Sequence, residues 1–177
     1  MTRGSRFGIL ALALAVQGCG YALVGRGVNV DPSIKRIGVP LFTDRTGRAG
    51  LDQKVTQKVI EELLKRGRFE VVQANTDVDA RVEGDLTAFT ETPAGFAPGA
   101  AADARTRASR YVIMLTADVA YTKTGEKDPL WSNERFTVTD GYDVTEDSDG
   151  LMDSEQAIDR LTTAFARRLV SEMLEGF

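Results

Sequence analysis

Residues 110–122 form the most regular alternating stretch of the chain. Tyr111, Ile113, Leu115, Ala117, Val119 and Tyr121 fall on one face, and Val112, Met114, Thr116, Asp118 and Ala120 on the other, which turns more polar at its far end. A period of two over this length specifies a β-strand. A strand with one apolar face needs a sheet that is covered on that side.

The cover is supplied by two amphipathic helices. Over residues 50–66, Leu51, Val55, Val59 and Leu63 recur every four residues, backed by Ile60 and Leu64 on the adjoining column. Gly67 stands where a helix-ending glycine belongs, after Lys65 and Arg66 in the last turn. A second helix spans about 154–175, with Ile158, Leu161, Phe165, Leu169 and Met173 as its stripe. Asp153 is its expected N-cap, with Gln156 completing a capping box.

Further strands are expected at 34–42, where Ile37, Val39 and Leu41 alternate with Arg36, Gly38 and Pro40, and at 69–72, 78–90 and 130–139. Pro40 indicates an edge or a strand exit, and Gly84 is the expected site of a bulge. Lys123–Lys127 reads as a hairpin turn, and Trp131 as core or a half-buried cover. Two single-stripe helices and a set of alternating strands are satisfied by an α+β arrangement, with both helices packed on one face of a mixed sheet.

The N-terminus has a different character. Arg3 and Arg6 precede an apolar run from Phe7 to Val16, too short to span a membrane but the right length for a secretory signal. Val16-Gln17-Gly18-Cys19 then resembles a lipobox of bacterial lipoproteins. That resemblance implies cleavage before Cys19, with a diacylglycerol on its sulfur and an acyl chain on its amine; Gly20 in the next position implies sorting to the outer membrane. Two or more chains anchor stably, because each buried methylene contributes about 0.8 kcal/mol. Three segments are expected: a signal peptide at 1–18, an acylated N-terminus and lead-in linker at 19–33, and a single domain at 34–177. Removing 18 of 177 residues leaves enough chain to bury a core without staples. Cys19 is the only cysteine, so no internal disulfide forms.

Residues 91–109 read as a long loop, with Pro93, Gly95, Pro98, Gly99 and a run of alanines. Arg105, Arg107 and Arg110 follow in front of the 110–122 strand. They form either a phosphate-recognising patch, since guanidinium pairs well with phosphate, or solvated charge at a strand entrance. Residues 140–152 are acidic. Asp147-Ser148-Asp149-Gly150 has part of a calcium-loop pattern but would place Thr145 and Gln156 at its first and twelfth ligand positions, so no metal site is expected.

The chain contains no histidine, which removes the usual Ser-His-Asp and Cys-His nucleophiles and His-containing zinc sites. Gly25-Arg26-Gly27 lacks both the preceding strand and the third glycine of a dinucleotide loop. No catalytic residue set emerges, and no cofactor beyond the lipid on Cys19. Loss of Arg3 and Arg6 with the signal leaves 20 basic against 26 acidic residues, which argues against nucleic acid as a partner.

Cys19-Gly20-Tyr21-Ala22-Leu23 followed by Ile34-Lys35-Arg36-Ile37-Gly38-Val39-Pro40-Leu41-Phe42 resembles the opening of the LPS-assembly lipoprotein family LptE. The similarity continues through the Leu51–Arg66 helix, Gly67, Val71-Val72, Ala80-Arg81-Val82-Glu83-Gly84, the Tyr111–Tyr121 strand, Leu130-Trp131 and the Glu155–Phe177 helix. It implies a mixed, about four-stranded sheet with both helices on one face. It also implies an outer-membrane lipoprotein on the periplasmic side that plugs and helps assemble the LptD β-barrel for lipopolysaccharide transport. The resemblance places lipopolysaccharide-touching cations near Arg105 and near the start of the last helix. The second region is acidic here, with Glu146, Asp147 and Asp149, which favours the plug role over direct binding. The Ile-Gly-Val-Pro strand and Thr-Asp-Arg-Thr turn also look like the opening of curli-secretion and cell-wall-synthase-activator lipoproteins, a second expectation in which the chain scaffolds or activates another periplasmic machine.

Overall fold

The computed structural model describes residues 31–74, 76–97, 107–144 and 150–175. The signal segment, Cys19, Arg105, and Glu146, Asp147 and Asp149 lie outside them, as does the side chain of Arg107.

The described chain folds as β1 (Arg36–Gly38), β2 (Thr43–Asp44), α1 (Leu51–Lys65), β3 (Glu70–Val72), β4 (Ala80–Ala97), β5 (Arg107–Lys123), β6 (Trp131–Asp143) and α2 (Gly150–Glu175). The sheet order is β3-β1-β4-β5-β6, with β2 paired to β4. β1, β2 and β3 join in parallel, while β4, β5 and β6 form an antiparallel meander. The sheet is mixed and carries both helices on one face, as expected, but it has six strands rather than about four. Of the expected 34–42 strand only Arg36–Gly38 is strand; β2 falls beyond it, in the Thr-Asp-Arg-Thr turn, with Pro40 between the two.

Core positions follow the sequence periods. Leu51, Val55, Val59 and Leu63 are buried on α1, and Ile158, Leu161, Phe165, Leu169 and Met173 on α2, against Ile113, Leu115, Ala117, Val119 and Tyr121 of β5. Leu64 departs from expectation and is 52% exposed. Ion pairs Lys54–Glu155, Lys58–Asp159 and Arg66–Glu175 join the helices in the same order along both, so α1 and α2 run parallel. Buried Thr56 is satisfied twice: its hydroxyl accepts the Phe42 N–H at 3.0 Å and donates to the Asp52 carbonyl at 2.7 Å. Gly67 has φ 65°, and its N–H donates to the Leu64 carbonyl, as a helix-terminating glycine should. Half-buried Trp131 packs edge-on to Phe136.

Other details differ from the sequence reading, and β6 runs past the expected 139 to Asp143. Most of the expected 91–109 loop is strand: β4 runs to Ala97, and β5 begins at Arg107. Pro93 is tolerated because β1 and β2 pair only with the stretch from Ala80 to Leu86, which leaves the outer edge of β4 free beyond it. The register shifts in β4 lie between Leu86 and Ala88 and on either side of Gly95, not at Gly84. α2 begins at Gly150, so Asp153 falls in its first turn and does not cap it.

Candidate partner-facing surface and anchor end

β5 spans 17 residues, and at about 3.3 Å per residue it gives the domain a long axis of roughly 50 Å. Lys123 at the end of β5 pairs with Ala80, and Arg107 at its start pairs with Ala97. These two ends differ in chemistry.

The chain enters at the Lys123 end. Asp31 accepts the Ser33 N–H through Oδ1 and the Ile34 N–H through its carbonyl, making a turn around Pro32. Its Oδ2 meets Lys123 Nζ at 2.5 Å. The hydrogen bond from Lys123, then the Ser33 N–H, hold the Asp31 carboxyl well below the usual carboxylate range. Lys123 is raised in return, first by the bond to Asp31. Beside them, Asp79 Oδ2 accepts the N–H groups of Lys35 and Arg36, both at 2.8 Å, and is lowered by those two bonds. Tyr121 beneath is pushed up to about 12 by burial and then by the Asp31 charge. The first described residue is thus fixed to the end of β5.

Towards the opposite end, where it pairs with Ile113, Glu91 of β4 gathers groups from three other segments. It accepts the hydroxyl of Tyr142 on β6 and, at 3.5 Å, that of Ser154 on α2, and lies 4.0 Å from Arg48 ahead of α1. Burial, then the bond to Glu91, push the Tyr142 phenol up to about 12. Tyr142 also stacks on Tyr111 with ring centroids 5.4 Å apart. Arg48 bonds Glu155 at 3.2 Å and covers the Phe89 ring at 4.9 Å. Lys54 is the first cause of the lowered Glu155 carboxyl, with Arg48 adding to it. Further along β4 Phe96 is 64% exposed, and in the first turn of α2 Leu151 and Met152 are 81% and 60% exposed. Sequence spacing gave no sign of the cluster, because Glu91 is 51 residues from Tyr142 and 63 from Ser154.

Of the three candidate arginines, only Arg110 has its side chain among the described residues. Arg110 reaches across to β6 and bonds Asp143 at 3.0 and 3.3 Å, with both side chains more than half exposed. Arg107 opens β5. The sheet face away from the helices carries Thr90, Thr116, Thr137 and Thr139, with Met114 36% exposed. Among the described residues, no group of three or more Cys, Asp or Glu side chains could hold a metal, and no helix is long and apolar enough to cross a membrane. The cluster at Glu91 bonds strands to helices and presents no free nucleophile.

No curated protein matches the sequence. Solved structures match at low identity. Protein XCC0632 from Xanthomonas campestris is 12% identical with a TM-score of 0.53, over 82% of this chain and 90% of that one. Hypothetical protein CT253 from Chlamydia trachomatis is 7% identical with a TM-score of 0.51, over 80% of this chain and 98% of that one. Uncharacterized lipoprotein B from Nitrosomonas europaea is 11% identical with a TM-score of 0.51, over 86% and 91%. At these identities the likeness shows the fold alone. The family model described as LptE, Lipopolysaccharide-assembly, matches residues 34–173, which takes in all six strands and nearly all of α2. The chain therefore belongs to the LptE family of lipopolysaccharide-assembly lipoproteins.

Proposed function

We propose that this protein is acylated at Cys19, is held on the periplasmic side of the outer membrane, and there plugs and helps assemble an LptD-like β-barrel that delivers lipopolysaccharide to the cell surface. The observation that carries this reading is the family match across the whole domain. The two ends support it. Eleven residues separate Cys19 from Asp31, a tether of at most about 40 Å, and the Asp31–Lys123 pair fixes where it meets the domain. The Glu91 end, with exposed Phe96, Leu151 and Met152, is then the end presented away from the anchor. The role is one of binding and holding, without chemical turnover.

Lipopolysaccharide is a second contact in this reading, met through Arg105, Arg107 and Arg110. Arg110 exchanges Asp143 for a phosphate when it engages. Affinity capture from detergent-solubilised membranes tests the central reading: a large β-barrel should be recovered in near-equal amount. Recovery of a cell-wall synthase or a self-assembled ring instead would assign the chain to another envelope machine.

A further inference from the structure

β6 is the last strand of the sheet, and its outer edge is a row of backbone groups that another strand could pair with. The Val144 N–H donates to the Ser109 carbonyl, and the register continues with Arg110 opposite Asp143 and Tyr111 opposite Tyr142. By antiparallel alternation, Val138, Asp140 and Tyr142 turn their backbone groups toward β5, while Arg135, Thr137, Thr139 and Gly141 turn theirs outward.

Most of those outward groups are already taken by side chains. Arg168 Nη1 donates to the Thr137 carbonyl at 3.1 Å, and Arg160 Nη2 to the Gly141 carbonyl at 3.0 Å. The Gly141 N–H donates to Asp140 Oδ1 at 2.7 Å, and the Arg135 N–H to Asn133 Oδ1 at 2.9 Å. The Thr137 hydroxyl reaches the Arg135 carbonyl at 3.3 Å. Each arginine is itself held. Arg160 Nε bonds Asp140 Oδ2 at 3.1 Å; Arg168 Nε bonds Glu172 at 2.6 Å, and its guanidinium lies 5.2 Å from the centre of the Phe136 ring. Asp140 thus orients one arginine with one oxygen and blocks an edge N–H with the other.

The spacing fits this task. Arg160 and Arg168 are eight residues apart on α2, about 12 Å at 1.5 Å per residue. The carbonyls of Gly141 and Thr137 are four residues apart on β6, about 13 Å at 3.3 Å per residue. The helix runs antiparallel to the strand, so the two arginines reach two outward carbonyls that bracket Thr139. Among the described residues, only the Thr137 N–H and the two groups of Thr139 are left open along this stretch.

We infer that Arg160 and Arg168 close the β6 edge against strand addition, and that the partner they chiefly exclude is the β6 edge of a second copy of this chain. Two copies could otherwise pair antiparallel about a two-fold axis at Thr139, where identical residues face each other. Arginine suits the position: its charge-assisted hydrogen bonds compete with the carbonyl's bond to an incoming N–H, and its bulk and charge must be displaced before a strand can approach. This guard operates whether or not the domain sits in a barrel.

The test uses the full chain in detergent, with Thr139→Cys as reporter and the chain lacking the reporter as background. Paired edges would bring the two reporters within disulfide range. With both arginines present, oxidation should give little reporter-dependent dimer. With Arg160→Met and Arg168→Met, which keep the long stems but remove the donors, dimer should rise about tenfold. Replacing position 139 with proline in the double variant should return the protein to monomer by sedimentation. That N–H faces outward, so its loss leaves the β5 pairing intact. The single variants should give intermediate dimer, and they carry the test if the double variant loses its native circular dichroism. A natively folded variant that stays monomeric, or that dimerises equally with proline at 139, would overturn the inference.

Discussion

The ring of Phe42 occupies the space that a side chain on Gly84 would need: a Cβ there would lie 2.3 Å from Phe42 Cε1 and 2.6 Å from Cδ1. Gly84 sits on β4 opposite Val119, and Phe42 is buried between β1 and β2 with its N–H on Thr56. This one absent side chain lets the chain turn from β1 into β2 and bring α1 down onto the sheet. At Gly38 a Cβ would come 2.3 Å from the Ala74 carbonyl oxygen, where the crossover from β3 to β4 passes over β1.

Gly84→Ala should therefore destabilise the domain by about 1–3 kcal/mol, the usual cost of overpacking a filled core. Gly38→Ala should cost at least as much, because backbone rather than a ring must move. Urea unfolding followed by tryptophan fluorescence checks both, with Leu64→Ala on the exposed side of α1 as a control expected within about 0.5 kcal/mol of the parent.

The main lines of the fold were legible where one period ran long enough. The α1 stripe and Gly67 were readable within a residue, as was the helix-facing side of β5. Residues 91–97 read as loop because Pro93 and Gly95 are loop residues by composition. Pairing to β5 overrides that preference, and the register shifts around Gly95 absorb the irregularity. Gly84 reads as a bulge in the sequence because the arrival of Phe42 over it is a product of the tertiary fold. The Glu91–Tyr142–Ser154 cluster was invisible for the same reason: each member is ordinary in its own strand or helix, and only the tertiary fold joins them.

The Asp31–Lys123 pair gives a pH dependence with a definite sign. The Asp31 carboxyl is lowered in the fold, so the folded state binds its proton less readily than the unfolded chain does. Its contribution is complete above the ordinary value of 3.8 and is lost as pH falls below it. Asp79 and Glu155 are also lowered and act in the same direction. Asp31→Asn should flatten the acid limb of a plot of urea midpoint against pH, with the curves parallel at neutral pH. An unchanged acid limb would show that the pair is too well solvated to count.

If Arg105 and the arginines at the start of β5 meet phosphates, the combined change Arg105→Ala, Arg107→Ala and Arg110→Ala should weaken lipopolysaccharide capture. The deficit should be greatest at low salt and shrink as salt screens the remaining charges. Asp143→Ala alone should strengthen capture, because it frees Arg110 from its partner at 3.0 Å. Equal capture by all of these variants would return the arginines to solvated charge.

Cys19→Ser should leave an unprocessed or soluble chain that moves from the detergent phase to the aqueous phase on temperature-induced phase separation. Unchanged partitioning would refute the lipid anchor.

The most direct test of the central claim is to deplete this protein in cells and follow the folding of the LptD-like barrel by heat-modifiability on gels. The account predicts that unfolded barrel accumulates and that folded barrel returns when the wild-type chain is restored. A barrel that folds at its normal rate and level without this protein would contradict it.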